Sequence, residues 1–328
     1  MRRVDFMKAL ISLGATFYKT YPYLSSGLRA MNVDVCELTK YDIPTSKEEI
    51  IEQIKDVDIY IVGVEKVDKE VIDAAKNLKL VIKHGAGYNN IDVEYATEKG
   101  IYVTFAKGQN AVSVAELAMG LILSSARDIV QADIAVKADN WKLFMGDELE
   151  YKTLGLIGCG AIGKEVAKRA KAFDMKVLAY DVYQDDDAAR KIGIEYVELA
   201  TLFSESDYIS LHIPAFDENY KFMNLDKFSK MKKSSYFINT SRGEVVDEDD
   251  LIYALTNGII KAAAIDVYQS EPPRKDLLML RNLITTPHIG GCSIGGAKRL
   301  AAATLENVRR FLIGEELLYL LNPQVKER

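Results

Sequence analysis

The chain has 328 residues, 48% hydrophobic and 27% charged, with a net charge of −6. That is the balance of a globular protein of about two domains. No basic surface dominates and no apolar run approaches roughly 18 residues, so neither nucleic acid nor a membrane is expected as a partner. Cys36, Cys159 and Cys292 are too scattered for a zinc spacing or a disulfide framework, which fits a reducing cytoplasm.

The opening stretch, MRRVDFMKALISLGATFYKT, places two arginines before apolar residues. Asp5 and Lys8 interrupt it and no small-residue cleavage site follows, so it reads as a first β-strand rather than a signal peptide. Short Val/Ile-rich runs then alternate with helical spacing. KALISL, DIYIVGV, LKLVIKH and IYVTFA are the strands; residues 46–56, 69–77 and 91–100 are the helices. Such alternation predicts a parallel sheet with crossover helices. A long amphipathic helix is expected over 113–136. The alternation restarts with KTLGLIG, MKVLAYD, SDYISLHIP, SSYFINT, IKAAAIDV and NLITTPHI, and a last helical segment follows, AKRLAAATLENVRRFLIG. The expected class is α/β, with two doubly wound parallel-sheet domains.

Residues 153–181, TLGLIGCGAIGKEVAKRAKAFDMKVLAYD, form the most specific local unit. Gly158, Gly160 and Gly163 give G-x-G-x-x-G between a strand and a helix. Asp181 ends the next strand, 181 − 160 = 21 residues after the second glycine. The first glycine permits the tight turn, the second lets a pyrophosphate approach, and the third packs helix on strand. Asp181 suits the ribose hydroxyls and repels a 2′-phosphate, with Asp185, Asp186 and Asp187 adding to that, so NAD is expected over NADP. A second glycine-rich turn, KHGAGYNNID (83–92), has Asn90 in place of a third glycine. Gly85 and Gly87 make it either a nest for a carboxylate or a plain β–α turn.

Moving a hydride to a carbonyl calls for a proton donor, and histidine serves best near neutral pH. The choice is His84, His212 or His288. Each lies at or just past the end of an expected strand, so position alone does not choose. His212, with Pro214 after it, suggests a cofactor-pocket wall; His84 suits substrate support. A histidine beside Gly290–Gly291 is as easily a turn residue as an acid. Arg242 follows a buried strand and could clamp a carboxylate with its planar fork. Asp266 and Glu271 flank another strand end, and either could orient a histidine.

Taken together, these pieces resemble the D-isomer-specific 2-hydroxyacid dehydrogenases, and within them the phosphoglycerate dehydrogenase-like branch. GAGYNNID, NAVSVAELAMGLILSSAR, GDELEYKTLGLIGCGAIG, SLHIP, INTSRGEVVDEDDL, AIDVYQSEPP and TTPHIGG occur in the family's order, over about residues 55 to 312. The resemblance implies hydride transfer between NAD(H) and C2 of a D-2-hydroxy acid or 2-oxo acid. It makes Arg242 the clamp on carboxylate and 2-oxo group, His288 the acid/base and Glu271 its partner. It assigns the cofactor to Gly158, Gly160, Ala161, Ile162, Gly163, Asp181, His212, Pro214, Thr240, Ser241, Asp266 and Gly290. The substrate falls to Arg242, the backbone at Ala86, Gly87 and Tyr88, and Lys83, which would meet a phosphate in a phosphoglycerate-type member.

No metal is implied. The implied domains are 1–104 plus 297–328 for the substrate and an inserted Rossmann NAD-binding domain, 105–296, closing over the ligands. A homodimer is implied through the long helix from about 113. Ala161 stands where the family often has arginine or another polar residue, and Cys292 where small or hydroxyl residues are common. The chain stops at Arg328, so a C-terminal regulatory domain is not expected. Glyoxylate, hydroxypyruvate, D-lactate and branched 2-hydroxy acids stay open beside 3-phosphoglycerate. A corepressor-like NAD-sensing module is a different reading, which the complete Arg242, Glu271 and His288 set opposes.

Overall fold

The computed structural model describes residues 6–39 and 44–325. The expected first strand is β1, Lys8–Ser12; the residues before Phe6 lie outside the described ones. The chain divides into two compact units, one of residues 1–110 and 291–328, the other of 111–290. The crossings therefore fall six residues inside the expected insert at each end.

The first unit carries β1, β2 (Asp34–Leu38), β3 (Ile59–Val62), β4 (Leu80–Lys83) and β5 (Tyr102–Phe105), in the order β2-β1-β3-β4-β5, all parallel. The three central strands are apolar on both faces because helices cover both sides. Leu10, Tyr60, Val62 and Val81 enter one core; Ile11, Ile59, Ile61 and Ile82 enter the other.

The second unit holds β6 (Thr153–Ile157), β7 (Lys176–Tyr180), β8 (Ile194–Tyr196), β9 (Tyr208–Leu211), β10 (Tyr236–Asn239), β11 (Ala262–Ile265) and β12 (Leu283–Thr285). Their order is β12-β11-β10-β9-β6-β7-β8, again all parallel. The chain runs outward from β6 to β8, then returns to β6's other side with β9. That reversal is the switch point at which such sheets bind ligands.

The helix expected over 113–136 is two helices, Ala111–Ala126 and Ile129–Lys137. Asp128 between them takes a left-handed φ of 50°, which ends the first helix without glycine or proline. Most of the first helix is buried, with Ala118, Leu121 and Ile122 in the core of the second unit. No helix among the described residues is long and apolar enough to cross a membrane.

Candidate active site

Parallel strands all end on one edge, so the second unit lines up its strand ends in the order β12, β11, β10, β9, β6, β7. That edge carries, in the same order, His288, then Asp266 and Glu271, then Arg242, then His212, then the glycine loop, then Asp181. Residues far apart in sequence become neighbours because their strands are neighbours.

His288 follows β12 and is exposed. Its Nδ1 faces both Glu271 oxygens, at 2.9 Å from Oε1 and 3.0 Å from Oε2. A ring nitrogen turned to a carboxylate fixes the ring's orientation. The backbone at His288 is left-handed, with φ 52°. Asp266 holds it there. The Asp266 carbonyl accepts from the His288 N–H at 2.9 Å. Its Oδ1 accepts from Thr286 Oγ1 at 2.6 Å and the Ile289 N–H at 2.9 Å, and its Oδ2 from the Gly290 N–H at 2.7 Å. Burial pushes the Asp266 carboxyl's pKa up, and these donors and His288 oppose the shift. Asp266 is thus the keystone of the 286–290 loop, a task its sequence position did not disclose.

Arg242 follows β10. Asn239, buried at the strand's end, shapes the turn: its Nδ2 donates to the Arg242 carbonyl at 2.9 Å, and its Oδ1 accepts from the Ser241 N–H at 3.0 Å and Ser241 Oγ at 2.8 Å. The guanidinium Nη1 donates to the Ser241 carbonyl at 2.7 Å. Burial lowers the Arg242 pKa, with Glu244 and Glu271 pulling it back up; a guanidinium stays charged regardless. Gly243 is sterically required. A Cβ there would lie 1.9 Å from the Tyr268 carbonyl, so the Arg242 turn packs directly on the segment leading to Glu271. Tyr268 in turn donates its hydroxyl to the Thr286 carbonyl at 2.8 Å, which joins that segment to the His288 loop.

The glycine loop fits a dinucleotide. Gly158 has φ 93°, and a Cβ there would strike the His212 carbonyl at 2.6 Å. Gly163 abuts the Gly158 carbonyl at 2.4 Å in the same sense. At Gly160 a Cβ would meet nothing within 4 Å. The open glycine is the one whose backbone must admit a pyrophosphate. The helix Ala161–Lys171 starts there with no side-chain cap, so the N–H groups at Ala161 and Ile162 face the ligand position. Asp181 accepts from the Cys159 N–H at 2.6 Å and the Tyr183 N–H at 2.9 Å, which ties this carboxylate to the loop itself.

His212 pairs its Nε2 with Ser210 Oγ at 2.9 Å, while Nδ1 is buried without a hydrogen-bond partner. Burial drives its pKa down to about 4, so it is neutral. Thr240 Oγ1, past the neighbouring strand, is another buried oxygen without a partner. Ser241 and Gly290 sit within the loops already described, and Pro214 is exposed beyond His212.

The first unit holds the remaining expected residues, in the loop after β4. Lys83 is buried, its ammonium donating to the Gly63 carbonyl and, at 2.9 Å, to Asn90 Oδ1. Asn90 Nδ2 donates to the Glu65 carbonyl at 2.6 Å. Lys83 and Asn90 therefore staple the base of the 84–90 loop, and the ammonium expected to meet a phosphate is engaged inside the unit. His84 is buried, with Nδ1 2.8 Å from Thr304 Oγ1 and its ring edge-on to Phe17. Burial lowers its pKa to about 3. Ala86, Gly87 and Tyr88 are half-buried at the loop's tip, with Tyr88 packed on Phe105.

A model of the family described as "D-isomer specific 2-hydroxyacid dehydrogenase, NAD binding domain" matches residues 119–290. The chain belongs to the D-isomer-specific 2-hydroxyacid dehydrogenase family. It is 42% identical to a hydroxypyruvate reductase of Thermotoga maritima over 85% of this chain and 92% of that one. It is also 42% identical to a D-3-phosphoglycerate dehydrogenase of Methanocaldococcus jannaschii, over 82% of this chain and 52% of the relative. Among solved structures, the D-lactate dehydrogenase of Aquifex aeolicus complexed with NAD and lactic acid superposes with a TM-score of 0.81 at 30% identity, covering 94% of this chain and 96% of that one. This member of the family is accordingly an NAD-dependent oxidoreductase, and its glycine loop and Asp181 lie inside the matched NAD-binding domain.

Proposed function

We propose that this dehydrogenase reduces a small, unphosphorylated 2-oxo acid with NADH and runs the reverse oxidation of the D-2-hydroxy acid, hydroxypyruvate and glyoxylate being the leading substrates. The bond from His288 to Glu271, next to Arg242 on the same sheet edge, carries the reading of the chemistry. The engaged Lys83 favours the unphosphorylated class, and a hydroxypyruvate reductase is among the relatives.

When bound, NADH supplies the hydride to C2. Gly158, Gly160, Ala161, Ile162 and Gly163 hold the pyrophosphate through backbone N–H groups and Asp181 holds the adenosine ribose. His212, Pro214, Thr240, Ser241, Asp266 and Gly290 line the nicotinamide half. Arg242 takes the substrate's carboxylate and 2-oxo oxygen with its planar fork and stabilises the charge that develops on that oxygen. His288 gives its Nε2 proton to the same oxygen while Glu271 holds Nδ1. The backbone at Ala86, Gly87 and Tyr88 is a further carboxylate contact.

The decisive assay follows NADH consumption against a panel of 2-oxo acids. Turnover of hydroxypyruvate or glyoxylate at least tenfold above phosphohydroxypyruvate is expected. A preference for the phosphorylated acid would overturn the substrate class, and no turnover on any would favour an NAD-sensing module.

The protein is further proposed to work as a homodimer in the cytoplasm. The apolar surface that supports a dimer is not the 111–126 helix, which the second unit buries, but the stretch after it. Ile134, Trp141, Leu143 and Met145 are 61%, 85%, 88% and 90% exposed, a run of apolar side chains that an interface would cover. The cysteines are all free thiols, as a reducing compartment keeps them. A Trp141→Glu, Leu143→Glu variant should sediment as a monomer; a wild type that is itself monomeric would end the dimer proposal.

A further inference from the structure

The geometry points to Glu248 as a positioning residue for the acid/base pair, acting through the backbone that carries Glu271. This inference rests on the proposed roles of Glu271 and His288. Glu248 opens the helix Glu248–Thr256, the first α-helix after the Arg242 turn. In the sequence it belongs to an acidic run, DEDD (247–250), that looks like a solvated helix start. Its neighbours behave that way. Asp247 caps the helix through the Asp249 and Asp250 N–H groups, and Asp249 is exposed.

Glu248 differs. It is only 4% exposed, and a carboxyl group is hardly ever buried without a specific task. Its Oε1 accepts from the Gln269 N–H at 2.7 Å. The Gln269 side chain reaches back, its Nε2 donating to the Val246 carbonyl at 2.7 Å. The two bonds form a reciprocal clasp between the turn that bears Arg242 and the segment that bears Glu271, two residues beyond Gln269.

The clasp fixes more than one distance. Tyr268, next to Gln269, is already tied to the Thr286 carbonyl in the His288 loop. Gly243 is packed against the Tyr268 carbonyl. Residues 268 and 269 are therefore held from the Arg242 side and from the His288 side at once. Glu271 itself is 43% exposed in its side chain. What aims it at His288 Nδ1 is the anchored backbone before it. Removing the Glu248 carboxyl would take away the acceptor of the Gln269 N–H and let the segment shift, and a displacement of about 1 Å at a catalytic group can cost on the order of 10²-fold in rate.

The test compares Glu248→Ala with Glu248→Gln, which keeps a carbonyl acceptor in the same place. For Glu248→Ala we expect kcat to fall roughly 10- to 100-fold, with the KM for the 2-oxo acid and the NADH dissociation constant changed less than about threefold and NADH bound at full stoichiometry. Glu248→Gln should recover most of the rate. A crystal structure of Glu248→Ala should show Glu271 beyond hydrogen-bond distance of His288. Unchanged kcat in Glu248→Ala would overturn the inference. So would a loss of rate in proportion to NADH-binding stoichiometry, since that marks a fold defect. A Glu271–His288 bond unmoved in the crystal would overturn it too. Absence of turnover in the wild type counts instead against the proposed reaction, and the crystal comparison then decides the positioning role alone.

Discussion

Two sheet edges of this chain present the same local pattern and put it to opposite uses. In the first unit β4 ends at Lys83, and His84 and a glycine turn follow. In the second unit β12 ends at Thr285, and His288 and a glycine pair follow. His84 lies inside its unit, against Thr304 and Phe17, with its pKa pressed down to about 3. His288 stands at the surface of its unit, with a carboxylate on Nδ1. Burial without a counter-charge makes a histidine a neutral packing element, whereas exposure beside a carboxylate is the setting the proposed acid/base role requires. The comparison teaches that strand–His–Gly is a placement, and that the surroundings of the ring decide the chemistry.

The sharpest way to break the contrast is to swap the same change into both edges. His288→Asn should lower kcat about 10³-fold, a typical worth for a general acid, with NADH binding unchanged by fluorescence titration. His84→Asn should leave kcat within a few-fold. Comparable losses in both variants would mean that the exposed histidine is not the proton donor.

Arg242→Gln comes next in size. It removes the charged fork from the neighbouring strand end while keeping a polar side chain. kcat/KM for the 2-oxo acid should fall about 10²-fold, through both KM and kcat, because in its proposed role the guanidinium serves the ground-state carboxylate and the developing charge together. A change confined to KM would restrict Arg242 to binding.

Much of this was legible beforehand. Arg242, Glu271, His288 and the glycine unit stand out because polar residues directly after Val/Ile-rich runs mark strand ends, and a parallel sheet gathers its strand ends on one edge. What escaped was whatever depends on a distant partner. Lys83 reads as a free cation at a strand end, yet its acceptors, Gly63 and Asn90, belong to other segments that the fold brings beneath it. Glu248 hides in an acidic run because the Gln269 N–H that it receives lies on the neighbouring segment. The strands β2 and β8 give no sequence signal for another reason. Both are sheet edges, and the burial of Asp34–Leu38 alternates, so neither shows the continuous apolar run of a central strand. The break at Asp128 carries no glycine or proline to announce it.

The smallest expected effect concerns stability, and it tests the buried member of the pair. His84 binds its proton only near pH 3 when folded but at its ordinary 6.5 when unfolded. Below 6.5 the unfolded chain takes up a proton that the folded chain refuses. The stabilisation is therefore complete above about pH 6.5 and is lost as the pH falls towards 3, at most about 1.4 kcal/mol per pH unit. His212, lowered to about 4, adds the same slope to the second unit over its own narrower window. His84→Gln keeps a group able to bond Thr304 and removes the titration. It should be somewhat less stable than wild type at pH 7 by urea unfolding, and should lose less stability between pH 7 and pH 4.5, so the two curves converge in acid. Parallel curves would mean that His84 is protonated in the folded chain, and the division between a silent and a working histidine would then have to rest on Glu271 rather than on burial.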